Sequence, residues 1–110
     1  MIEEIIQNYL RENAFPCYMS VPEKPSGNFC VLEKTGSSYK DGIFTATLAV
    51  QSYGSSDYAA AQLSHRAVQT MLDADTLPEI VSCTLNTDYN FPDTTRKLPR
   101  YQAVFEVVHY

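Results

Sequence analysis

Basic residues are scarce in this sequence. Eight lysines and arginines against thirteen aspartates and glutamates leave a net charge of −5 over 110 residues. The acidity is spread without an acidic block, which favours solubility and argues against a surface that grips nucleic acid through its phosphates. Histidine is scarcer still: His65 and His109 stand alone, and with scattered carboxylates they give no metal-ligand spacing. No Walker loop, G-x-G-x-x-G, H-E-x-x-H or G-x-S-x-G motif occurs. The three cysteines, Cys17, Cys30 and Cys83, lie far apart in apolar, strand-like runs with no C-x-x-C spacing, the pattern of buried thiols. No apolar stretch approaches the roughly 20 residues of a membrane helix. No basic segment followed by an apolar run marks a secretion signal, so the expectation is a chain made and folded in a cytoplasm, without a membrane partner.

What is present is enough for one hydrophobic core. At 45% hydrophobic residues the chain reads as a single domain, 1–110, needing no disulfide or metal staple. Its organising stretch is a long strand, Ile43–Tyr53, a Gly-Ser-Ser break, and a helix from about Asp57 to Asp73. Phe44, Ala46, Leu48 and Val50 alternate with Thr45, Thr47, Ala49 and Gln51, giving one apolar and one half-polar face. A serine before Asp57 is placed to cap the helix, and the Asp57 charge suits the positive end of its dipole. Ala60, Leu63, Ala67 and Met71 form one stripe, flanked by Val68 and Leu72, with Gln62, Arg66, Gln69 and Asp73 opposite. A one-sided strand followed by a one-sided helix describes a two-layer sandwich.

The remaining segments pair with that strand or pack beside that helix. Residues 1–13 carry Ile2, Ile5, Ile6, Tyr9 and Leu10 on one side and Glu3, Glu4, Gln7 and Arg11 on the other, an amphipathic first helix. Residues 17–21 are a short strand candidate closed by a Pro-Glu-Lys-Pro-Ser-Gly loop. Residues 28–35 read as the next strand and 36–41 as turn residues before the long strand, together a hairpin. Residues 80–86 form a fourth strand with Val81, Cys83 and Leu85 on one side. Residues 101–110 form a fifth, with Ala103, Phe105 and Val107 alternating with Gln102, Val104, Glu106 and Val108. The expected fold is α/β in the α+β two-layer sense. Two helices pack on one face of a mixed, mostly antiparallel sheet of four or five strands, in the order α-β-β-β-α-β-β.

Catalysis finds little support. His109 shares a strand face with Phe105 and Val107, and His65 borders the polar side of the second helix, so neither is placed to activate a cysteine. Glu3/Glu4 and Asp73/Asp75 read as solvated charges. The least core-like segment is 87–100, where Tyr89, Asn90 and Phe91 precede Arg96, Lys97 and Arg100 and the local charge turns positive. Irregular loops of this length are uncommon in small domains and often functional. Two readings remain open for it: an interface loop, or a solvated hairpin extension whose Tyr89 and Phe91 fold back onto the sheet. The second sheet face, with Thr45, Thr47, Gln51, Tyr53, Ser82, Thr84, Gln102, Val104, Glu106 and Val108, is suited to water or to another subunit. Eight tyrosines and five phenylalanines supply amphipathic rings of the kind enriched in protein interfaces.

Four segments taken together resemble a family. They are Phe29-Cys30-Val31-Leu32-Glu33-Lys34-Thr35-Gly36, Thr45-Ala46-Thr47-Leu48-Ala49-Val50-Gln51-Ser52-Tyr53, Asn86-Thr87-Asp88-Tyr89-Asn90-Phe91-Pro92-Asp93-Thr94 and Arg100-Tyr101-Gln102-Ala103-Val104-Phe105. In this order they resemble the small tail terminator, or tail completion, proteins of long-tailed bacteriophages and prophages. The resemblance implies a non-enzymatic virion protein of the tail, without cofactor, that caps the growing tail tube and joins it to the head-side connector or stopper protein. It also implies a homo-hexameric ring, whose partners are further copies of the chain, the tube protein and the connector, with no specific nucleic-acid binding. A ring needs heterologous contacts between two different patches. The open sheet face and the 87–100 segment are the candidates, with Tyr89, Asn90, Phe91, Arg96, Lys97, Arg100, Thr45, Thr47 and Tyr53 as interface residues. The competing reading is a small ligand-binding or minor enzymatic domain, with a pocket between the second helix and the sheet near His65 or His109.

Overall fold

A computed structural model describes residues 1–25 and 27–110; of the expected proline loop at 22–27, Ser26 lies outside the described residues. The elements are α1 (Ile2–Glu12), β1 (Cys17–Tyr18), β2 (Phe29–Lys40), β3 (Ile43–Tyr53), α2 (Asp57–Leu72), a 3-10 turn (Ala74–Thr76), β4 (Ile80–Asn90) and β5 (Arg100–His109). They build one five-stranded sheet in the order β1-β2-β3-β5-β4. β1 runs parallel to β2, and all other neighbours are antiparallel. The α+β class and the order α-β-β-β-α-β-β are those expected from the sequence.

Both helices cover the same sheet face. Ile6 and Leu10 of α1 and Ala60, Leu63, Ala67 and Met71 of α2 are buried in one cluster with Leu32, Ala46, Leu48, Val50, Ala103, Phe105 and Val107. The small Ala60 and Ala67 side chains bring the α2 backbone close to the sheet. Ser56 caps α2, its hydroxyl accepting a hydrogen bond from Ala59 N–H at 3.1 Å. At the β3–α2 turn Gly54 is required by close approach, because a Cβ there would lie 2.5 Å from Ala60 N.

Four local readings change. The 36–41 segment continues β2 rather than turning. The chain reverses only at Asp41-Gly42, whose φ angles of 54° and 82° make the two-residue turn that right-twisted strands favour. A bulge between Lys34 and Gly36 accommodates the glycine. β1 is two residues long, so Val21 lies beyond it. In β4 a bulge between Ile80 and Ser82 resets the alternation: Ile80 and Cys83 point into the core, while Val81 is exposed. Phe44, expected in the core, is 40% exposed and stacks on His109 with ring centres 5.3 Å apart.

Candidate functional site

The 87–100 segment is mostly strand. Thr87–Asn90 extend β4 along β5, with Tyr89 opposite Gln102 and Asn90 opposite Tyr101. Only 91–99 leave the ladder, and even there Asp93 and Leu98 exchange backbone hydrogen bonds at 3.0 and 3.1 Å. The hairpin-extension reading therefore describes the backbone. Tyr89 and Phe91 remain about 40% exposed and pack edge to face, with centres 5.7 Å apart.

The tip is held by one carboxylate. Asp93 is 4% exposed. Its Oδ2 accepts the Tyr53 hydroxyl at 2.8 Å and Arg96 Nη1 at 3.1 Å, and its Oδ1 accepts Arg96 N–H at 3.1 Å. Arg100 Nη1 stands 3.8 Å from Oδ2 and donates to the Tyr53 hydroxyl at 3.1 Å. Burial opposes ionisation of this carboxyl. The backbone hydrogen bond from Arg96, those from Tyr53 and the Arg96 side chain, and the Arg100 charge outweigh it and hold the group below its ordinary pKa. Burial first, then the Asp93 hydrogen bond, raise the Tyr53 hydroxyl against the lowering effect of Arg100. Lys97, at the tip with φ 56°, makes no ion pair among the described residues.

Around this clasp an aromatic ladder crosses the sheet on the face away from the helices. Tyr18 meets Phe29 edge-on at 6.0 Å, and Phe29 stacks on Tyr53 at 4.7 Å with 9° between the planes. The Arg100 guanidinium lies 5.6 Å from the Tyr53 ring centre and 4.3 Å from that of Phe91. Arg100 Nε also donates to Phe91 O at 2.7 Å. Beside them Gln51 donates to Gln102 at 2.9 Å, and Gln102 to the Tyr89 hydroxyl.

The expected interface residues thus separate. Tyr89, Phe91, Arg96 and Arg100 come together around Asp93, with Asn90 and Lys97 at their margin. Tyr53 is 1% exposed beneath them, with Leu98 and Val21 packed on its cluster. It supports the tip and offers no contact surface, which corrects its assignment as an interface residue. Two of the segment's three basic residues share the single Asp93 carboxylate, and with Asp88 the segment keeps a net charge of +1. Thr45 and Thr47 share the open face but lie eight and six residues along β3 from Tyr53, roughly 26 and 20 Å.

Asp93 is the residue that sequence reasoning missed. Its signal is the Pro92-Asp93-Thr94-Thr95 run, in which an aspartate accepts the N–H three residues on. A second omission is the pairing of Cys17 with Cys30 across β1 and β2, both buried. Burial raises the Cys17 thiol to about 11 and the Cys30 and Cys83 thiols to about 12.

Between α2 and the sheet lie the core residues already named, and His109, at the end of β5, borders an open concavity of about 360 Å³ shared with Ile2, Ile5, Lys34 and Phe44. His65 is exposed on the outer side of α2, beside an open concavity of about 380 Å³ shared with Tyr58, Ala61, Gln62 and Arg66. Among the described residues no helix is long and apolar enough to cross a membrane. No protein-family model matches the chain, and no curated protein matches it significantly.

Proposed function

We propose that the chain is a virion structural protein of a long-tailed phage or prophage. It caps the tail tube, ends tube growth and joins the tail to the head-side connector, working as a closed ring of six copies. The observation that carries this reading is the unequal use of the two sheet faces. Both helices cover one face, and the other presents Thr45, Thr47, Thr84 and Glu106 at one end and the clasped aromatic tip at the other. A sheet covered by helices on one side only, in a chain whose four segments resemble the tail terminators, is suited to joining other proteins through its second side. The net charge of −5 suits a ring through which DNA passes without being held.

Light scattering on protein tagged at the N-terminus tests the proposal from tens of micromolar upward. A species near six times 12.4 kDa is expected, either alone or on addition of purified tube protein. Replacing Phe91 and Arg96 together with alanine is expected to weaken tube capping. A monomer at every concentration, with tube protein present, refutes the reading.

A further inference from the structure

The sheet ends in two edges that no described residue covers, and they match one another. On one side β1 pairs with β2 only at Cys30 and Val31, so β2 from Glu33 to Lys40 has a partner on its inner side alone. On the other side β4 is the last strand. Free strand edges are templates for pairing, and monomeric proteins shorten or cover them. Here both are long, and bulges divide each into a regular run: Gly36–Lys40 follows the Lys34/Gly36 bulge, and Ser82–Leu85 lies between the two bulges of β4.

Direction and charge also agree. β2 and β5 run one way and β3 and β4 the other. A second copy in the same orientation therefore sets its β2 antiparallel beside β4 of the first, with its helices on the same side. Following the ladder across the sheet, Tyr39 pairs with Phe44, Phe44 with His109 and His109 with Ile80. Without shear, Lys40 of one copy then falls at the level of Glu79 of the next. Both side chains are exposed, and neither makes an ion pair among the described residues. On the same ladder Ser38, Thr45, Val108 and Ser82 share one level.

We infer that the chain associates head to tail with further copies of itself by strand addition, the β2 edge at Gly36–Lys40 pairing with the β4 edge at Ser82–Leu85. This deepens and rests on the ring reading, and it sets the subunit contact at the sheet edges rather than at the aromatic tip. The contact is heterologous, so it propagates with one polarity and closes wherever the rotation between copies allows.

Cysteine pairs test it. Ser38 and Ser82 of one chain are three strand spacings apart, roughly 14 Å, too far for an internal disulfide, whereas directly opposed residues of adjoining strands are within reach. Under mild oxidation with a disulfide reagent, Ser38→Cys/Ser82→Cys protein is expected to give a ladder of covalent oligomers, and each single variant dimers at most. Ser38→Cys/Thr84→Cys captures a two-residue shift in register. Separately, Lys40→Glu and Glu79→Lys are each expected to raise the concentration for assembly about tenfold, and the double exchange to restore it. Neither ladder forming while light scattering shows an oligomer overturns the edge pairing and leaves the ring reading standing. A monomer at every concentration, tube protein included, overturns both.

Discussion

Removing the Asp93 carboxylate unties the aromatic tip. In Asp93→Ala the Tyr53 hydroxyl loses its acceptor in a site 1% exposed, and the Arg96 N–H loses the bond that closes the turn. A hydrogen bond to a charged group contributes about 1.5–3 kcal/mol and a neutral one about 1. The Arg96 side chain is half exposed, so its ion pair adds a few tenths. Arg100 donates to the Tyr53 oxygen and cannot accept, so the freed O–H gains no new partner from it. The expected destabilisation is about 3 kcal/mol, or roughly 12 °C in Tm for a domain of this size. Urea unfolding at pH 7, with Asp88→Ala as an exposed control, measures it. The pH dependence supplies an independent check. A carboxyl held below its ordinary pKa when folded contributes stability that is present above its unfolded pKa near 4 and is lost as the pH falls through the lower folded value. Asp93→Asn is therefore expected to flatten stability against pH below about 4. An Asp93→Ala cost no larger than that of Asp88→Ala, together with an unchanged acid limb in Asp93→Asn, would refute the clasp.

Other outcomes follow from the core. Gly54→Ala forces a Cβ against the α2 backbone, so a loss of about 1–3 kcal/mol is expected by urea unfolding, where an unstrained site would gain a few tenths. Phe105 is fully buried at the centre of the sheet, and Phe105→Ala is expected to cost about 3–5 kcal/mol by the same assay. With thiol pKa values raised to about 11 and 12, the three cysteines should resist a thiol reagent at pH 8 in the native protein. All three should react at once in denaturant.

How much of this was legible depended on whether a signal was local. β3 and α2 could be bounded to within a residue because period-two and period-3.6 patterns run unbroken through them. The distal half of β2 could not, because Gly36-Ser37-Ser38 has the composition of a turn. There the strand is imposed by pairing with β3, and the true reversal is the Asp41-Gly42 pair. The β4 bulges shift its inward residues from an i, i+2 to an i, i+3 spacing, so Val81 was expected inside and Ile80 was not. The Asp93 clasp depends on Tyr53 and Arg100, 40 residues behind and seven ahead in the chain, and no window of sequence joins them.

The position of β5 has a consequence for how the protein comes to be. β5 follows β4 in the chain yet lies between β3 and β4. While a ribosome is still adding β5, the sheet has a gap at its centre. β3 then has only β2 for a partner, and β4 has none. Contacts that must wait for a distant segment close slowly. The edge of β4 is therefore organised only once β5 has been inserted, so an unfinished chain lacks one of the two surfaces through which copies would join.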